Sequence, residues 1–151
     1  MKSLAANLLR SASDAEDVVQ DCFLKVFRGA AAFRGGARFS TWIYRILVNT
    51  CYDAMRRRSR RPAEGVAEGG EDVGLAGTVP AIDHPLRLDL ERSVARLPEK
   101  ARTVFLLSAV EGFAHGEIGE ILGIPEATSR TLLFEARRTL QRGLWREEAG
   151  A

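Results

Sequence analysis

Between Pro62 and Asp83 the helical patterning of this chain stops. The stretch "PAEGVAEGGEDVGLAGTVP" carries seven glycines and prolines, with small and acidic residues alternating through it without a period. Such a composition breaks helices and buries little, so it reads as a flexible linker. On both sides of it apolar residues recur at helical spacing. The chain is therefore expected to be all-α, with two small helical units over residues 1–61 and 85–147 joined by an acidic linker over 62–84. Neither unit can hold a large core, which suits binding modules better than an enzyme.

Charge is segregated in the same way. The net charge is only +2, but Arg56, Arg57, Arg58, Arg60 and Arg61 stand immediately before the linker. The linker itself holds Glu64, Glu68, Glu71, Asp72 and Asp83 and no Lys or Arg. A basic block followed by an acidic one says more than the sum does. Hydrophobic residues make up 46 % and charged residues 28 %, a globular balance that argues against wholesale disorder. No apolar run approaches membrane-spanning length and none resembles a signal peptide, so membrane insertion is excluded and a cytoplasmic location is expected. Cys22 and Cys51 fall on apolar helical faces and read as buried, reduced thiols. With only His84 and His115 besides, no metal-ligand spacing can be assembled. No nucleophile has a neighbouring base, and no glycine loop could cradle a phosphate. Neither catalysis nor a cofactor is expected.

In the first half, Ser13-Asp14-Ala15-Glu16 has the form of a capping box. Behind it Ala15, Val18, Val19, Cys22, Phe23, Val26 and Phe27 recur at spacings of three and four, predicting one buried face of a helix. Glu16, Asp17, Gln20 and Asp21 lie on its other face, and Gly29 is a plausible stop. A loop rich in Gly and Ala then carries Phe33, Arg34, Arg38 and Phe39. Ser40 or Thr41 is expected to cap a second long helix with Ile43, Ile46, Leu47, Thr50, Cys51 and Ala54 on its core side. Trp42, Tyr44, Arg45 and Asn49 fall partly off that stripe. The whole stretch, "FSTWIYRILVNTCYDAMRRRSRRP", has rings at one end and arginines at the other. Bases stack on rings and phosphates pair with arginine, so nucleic acid is the first reading. A membrane-surface helix or a solvated helix end would have a similar composition.

After the linker, Leu86, Leu90, Val94 and Leu97 form an amphipathic stripe. Pro98 opens a nearly all-apolar helix, "ARTVFLLSAVEG", that Gly112 stops. A short helix, His115 to Leu122, ends at Gly123. A longer one starts near Glu126. Short helix, glycine turn and longer helix form the helix-turn-helix pattern, whose second helix enters the major groove. That helix is expected to bury Ser129, Leu133, Ala136 and Leu140 and to turn Arg130, Thr131, Phe134, Arg137, Arg138 and Arg142 outward.

Three blocks then carry a resemblance. "DAEDVVQDCFLKVFR", "FRGGARFSTWIYRILVNTCYDAMRRRSRR" and "LPEKARTVFLLSAVEGFAHGEIGEILGIPEATSRTLLFEARRTL" resemble, in order, regions 2 and 4 of the bacterial extracytoplasmic-function sigma factors. The resemblance implies a promoter-specificity subunit without catalysis of its own. Its partners would be core RNA polymerase, through the beta-prime clamp helices and the beta flap, promoter DNA in duplex and melted form, and an anti-sigma factor. It implies polymerase docking by Asp14, Glu16, Asp17, Gln20 and Asp21. It implies that Phe33, Phe39, Trp42, Tyr44 and Asn49, with Arg34, Arg38 and Arg45, hold the melted minus-ten strand. Arg56, Arg57, Arg58, Arg60 and Arg61 would grip duplex phosphates nearby. Thr128, Ser129, Arg130, Thr131, Phe134, Arg137 and Arg138 would serve the minus-thirty-five element. The acidic linker would mimic a nucleic-acid backbone in a basic polymerase channel, or serve as a solvated tether. The chain departs from the family pattern at Ala127, Leu132 and Glu135. It also has only Met1 to Arg10 before the acidic box, where a full helix is usual, so a start codon further upstream is expected. A shortened first helix would leave Val18, Cys22 and Val26 less covered. Two other readings stand beside this one. A lone helix-turn-helix regulator would explain only the second half, and a degenerate sigma-like decoy would bind polymerase without initiating.

Overall fold

The computed structural model describes residues 1–60 and 85–150, apart from the side chains of residues 85, 86, 147 and 148. The expected linker and Arg61 lie outside the described residues. The chain divides into two compact units. One holds the first three helices; the other holds the fourth, fifth and seventh and the sixth as far as Gly119.

In the first unit, α1 (Lys2–Leu9), α2 (Ala12–Gly29) and α3 (Phe39–Arg60) pack on one another. α1 is short, but Leu4, Ala5, Ala6, Leu8 and Leu9 are all buried. Burying each leucine is worth about 1.5–3 kcal/mol, which outweighs the poor helix propensity of so short a segment. Arg10 takes a left-handed conformation at φ 54° and turns the chain into α2. The cap of α2 is Ser11, whose hydroxyl accepts from the Asp14 backbone N–H at 3.2 Å. Ser13, the expected cap, already lies inside the helix.

The α2 core is narrower than the periodicity predicts. Ala15, Val18 and Cys22 are buried, whereas Phe23 is 55 % and Phe27 84 % exposed. Val18 and Cys22 are thus fully covered, Val26 is half-buried, and Phe23, Leu24 and Phe27 are left in the open. The long α3 begins at Phe39 with the Trp42 N–H donating to the Arg38 carbonyl at 3.1 Å. Neither Ser40 nor Thr41 caps it. Thr41 is buried, and its hydroxyl finds no hydrogen-bond partner. Leu47, Val48, Thr50 and Cys51 form the core side of α3, while Ile43, Ile46 and Ala54 are half-buried. Lys25 of α2 reaches across to the Thr50 hydroxyl at 3.1 Å.

Cys22 and Cys51 are free and buried. Burial pushes both thiols up, Cys51 from 9.0 to about 12 with the neighbouring Cys22 adding to it. Folding therefore favours the protonated thiols. That contribution is complete below pH 9 and is lost as pH rises toward 12. We expect both thiols to resist a water-soluble disulfide reagent at pH 8 in the native chain and to react at once in denaturant. Rapid titration of either thiol without denaturant would contradict this packing.

In the second unit, α4 (Pro85–Ala95) leads to α5 (Glu99–Phe105), and α5 continues into a π-helical turn, Leu106–Val110. Pro98 sits just ahead of α5 and its carbonyl accepts from the Arg102 N–H at 2.8 Å. Gly112 ends the element at φ 78°. α4 and α5 both pack on α7 (Glu126–Ala149), and Val94, Leu97, Ala101, Val104, Leu106, Leu107, Leu133, Ala136 and Leu140 are buried. α6 (His115–Leu122) starts with the Glu117 carboxylate accepting from the Ala114 N–H at 2.9 Å. It stops at Gly123, left-handed at φ 67°. Among the described residues no helix is long and apolar enough to cross a membrane.

Candidate nucleic-acid interface

The geometry of α2 separates its polar residues into different surroundings. Glu16, Gln20, Phe23 and Phe27 follow one another at spacings of four, three and four, so they form one exposed stripe along the helix. Leu24 widens it, and Gln20, Phe23, Leu24, Val26, Phe27 and Ala30 line a shallow apolar groove. Asp17 and Asp21 flank the stripe and line a separate cleft with Asp14, Arg57 and Arg58. Glu16 pairs with Lys2 at 2.7 Å, which lowers its carboxyl pKa through that hydrogen bond and the lysine's charge. An exposed apolar groove rimmed by acids is the composition of a protein-binding surface. Sequence reasoning found the acids and missed the rings, because it assigned Phe23 and Phe27 to the core.

Next to the C-terminal end of α2, Phe33, Phe39 and Trp42 form a ring cluster. Their centroids lie 5.1–5.5 Å apart, with the Phe33–Phe39 pair edge-to-face. Phe39 is half exposed and Trp42 half-buried. The indole is backed by the end of α2, where a Cβ on Gly29 would lie 3.2 Å from a Trp42 ring carbon. The rings therefore both pack the loop onto the helix and present apolar edges to solvent. Arg34, Arg38, Arg45 and Asn49 are exposed around them. Tyr44 is half-buried, and its hydroxyl accepts from the Met1 amino group at 3.4 Å.

The arginines at the end of α3 are not equivalent. Arg57 and Arg60 are exposed. Arg56 pairs with Asp53 on its own helix. Arg58 reaches 2.6 Å to Asp14 and 3.0 Å to the Leu9 carbonyl. This divides a block that sequence reasoning treated as uniform.

On α7, Thr128, Arg130, Thr131, Phe134, Arg137 and Arg138 are exposed. Phe134 stands out, 66 % exposed among the arginines. Arg130 pairs with Glu126 one turn back. Ser129 is different. It is buried, and its hydroxyl lies 2.8 Å from His115 Nδ1, so it fixes α7 against α6 and does not face outward. Gly119 allows the same close approach, since a Cβ there would meet the Ile124 carbonyl oxygen at 2.7 Å. Trp145, 71 % exposed, lies three turns beyond Phe134 on the same face and was not singled out from sequence.

Comparison with known proteins gives the family of both units. Residues 1–61 match the sigma-70 region 2 family and residues 87–140 the sigma-70 region 4 family. The chain is an RNA polymerase sigma factor of the sigma-70 class. It is 35 % identical over 141 residues to the ECF RNA polymerase sigma-E factor of Haemophilus influenzae, covering 87 % of this chain and 75 % of that protein. It is 32 % identical over 151 residues to the RNA polymerase sigma-H factor of Pseudomonas aeruginosa, covering 93 % of this chain and 78 % of that protein. A solved structure of the sigma factor RpoE with the anti-sigma factor NepR from Bartonella quintana superposes with a TM-score of 0.76 at 25 % identity, covering 95 % of this chain and 88 % of that one. The protein belongs to the ECF RNA polymerase sigma factors, which direct core RNA polymerase to promoters.

Proposed function

We propose that residues 1–61 dock on polymerase and hold melted minus-ten DNA, that residues 85–147 read the minus-thirty-five element, and that 62–84 tether the two. The observation that carries this is the partly exposed ring cluster at the start of α3, with a basic end on the same helix. Unstacked bases lie on Phe39 and Trp42, and Arg34, Arg38, Arg45 and Asn49 hold the strand around them. Arg57 and Arg60, and Arg56 once it releases Asp53, meet duplex phosphates. Such contacts position the protein and make its affinity depend on salt, but carry no sequence information. On α7, Thr128, Arg130, Thr131, Phe134, Arg137 and Arg138 face the major groove, while Ser129 and His115 set the angle of the helix. The docking surface on α2 joins Glu16, Asp17, Gln20 and Asp21 to Phe23, Leu24 and Phe27. The anti-sigma factor in the solved relative supports a regulator of this kind for the present chain.

Run-off transcription with purified core polymerase on candidate promoters tests the reading. Core-dependent initiation supports it, and duplex binding without core overturns it in favour of a stand-alone regulator. Core binding without initiation overturns it in favour of a decoy. Within the same assay, Trp42→Ala should lower open-complex formation about 10- to 100-fold, as expected from stacking worth ~1–3 kcal/mol per base. Core affinity should stay within about twofold. Equal losses in both would show that the indole serves only to pack the loop.

A further inference from the structure

We propose that Arg58 is a positioning residue that joins the end of α3 to the corner between α1 and α2, and that it does not contact DNA. This rests on the reading of α2 as the polymerase-docking helix and of the end of α3 as a duplex contact. By sequence, Arg58 is one of a run of equal arginines. In the structure its guanidinium donates to two groups at once, the Leu9 carbonyl at 3.0 Å and the Asp14 carboxylate at 2.6 Å. Those partners lie 49 and 44 residues away in sequence.

Each partner is a helix end. Leu9 is the last residue of α1, so its carbonyl has no acceptor role inside its own helix. Asp14 stands in the first turn of α2. Between them Arg10 takes the left-handed turn that sets the angle between the two helices. One planar fork from α3 thus satisfies the close of α1 and the opening of α2 together, which a lysine's single ammonium would do less well. The comparison with Arg56 is instructive. Its pair with Asp53 lies within one helix. Opening that pair moves no helix, so Arg56 is available to a phosphate at little cost. Releasing Arg58 frees the corner from which α2 projects. The Arg58–Asp14 pair is partly exposed, 58 % and 44 % by side chain, so its ionic attraction alone is weak. Its effect is directional: it fixes where the first turn of α2 points, and with it the docking stripe that begins at Glu16.

Two double-mutant cycles and a salt titration test this on the full chain. Melting is followed by Trp42 fluorescence in a Trp145→Phe background, which isolates the first unit. Arg58→Ala is expected to lower that Tm by about 4–8 °C. At a temperature where every variant is folded, it is expected to weaken core polymerase binding about five- to tenfold. In an Asp14→Ala background Arg58→Ala should have little further effect on either quantity. Arg58→Lys should recover part of the core affinity. In the salt titration, the holoenzyme binds a fork-junction promoter DNA at increasing salt. Arg57→Ala should flatten the slope of log K against log salt by about 0.9, the value of one lost phosphate contact. Arg58→Ala should leave the slope unchanged. The proposal is overturned if Arg58→Ala flattens the slope as Arg57→Ala does, or if its effects on Tm and core affinity add fully to those of Asp14→Ala. If neither Arg57→Ala nor Arg60→Ala changes the slope, the duplex reading of the α3 end has failed. The two cycles then decide the role of Arg58 by themselves.

Discussion

A chain carrying both Phe23→Glu and Phe27→Glu should lose core RNA polymerase affinity by about three orders of magnitude and melt at the wild-type temperature. The two halves of this result come from one observation. Both rings stand in solvent, so replacing them removes little buried area, and surface changes of this kind usually stay within ±0.5 kcal/mol. At a protein interface the same rings would be desolvated anchors, where truncation costs about 2 kcal/mol or more each. Two new carboxylates add repulsion from the acids already beside them at Asp17 and Asp21. Core binding measured by fluorescence anisotropy, alongside the thermal transition of the first unit, checks both halves. Wild-type core affinity would remove α2 from the docking surface. A large fall in Tm would mean the rings are packed in solution.

Gly119→Ala should destroy the helix-turn-helix while leaving the first unit intact. The added methyl would sit 2.7 Å from the Ile124 carbonyl oxygen. The obstacle is backbone, and Ile124 is itself tied down because its N–H donates to the Gly119 carbonyl at 3.0 Å. No rotamer change relieves such a clash, so α6 and α7 must move apart at a cost of about 3 kcal/mol or more. The His115–Ser129 bond is expected to break with them. Minus-thirty-five duplex binding should fall more than 100-fold, with Trp42-monitored melting unchanged. Gly123→Ala provides the comparison. Nothing lies within 4 Å of a Cβ there, but its backbone is left-handed at φ 67°. That strain costs about 1 kcal/mol, so the loss should be much smaller. If Gly119→Ala is as mild as Gly123→Ala, the close approach is not what holds the turn.

Punctuation was the most legible part of the sequence. Gly112, Gly123 and Pro125 bracket α6 and open α7 where the residues predict, because a left-handed glycine and a missing proline N–H act locally. Caps were less legible. Ser11 and Ser13 are chemically the same and two residues apart, so residue type alone does not say which one starts α2. The apolar stripe misled most. Period alone cannot say how much of a stripe a three-helix unit is able to cover, and here full burial on α2 ends at Cys22. Side-chain division of labour was also hidden. Arg58 has the right chemistry for DNA, yet it is held by Asp14 and Leu9, partners brought near only by tertiary packing. The spacing does place Ser129 on the buried side, but not its bond to His115.

The contact between Gly29 and Trp42 also acts as a ruler. The helix that carries the Phe27 end of the docking groove finishes beneath the indole, with no room for even a methyl group to intervene without displacing a ring atom. On the roles proposed above, any shift of the groove on α2 would be carried directly to the rings that would stack a freed base. The point where the DNA parts would then be measured from the polymerase surface by the end of one helix.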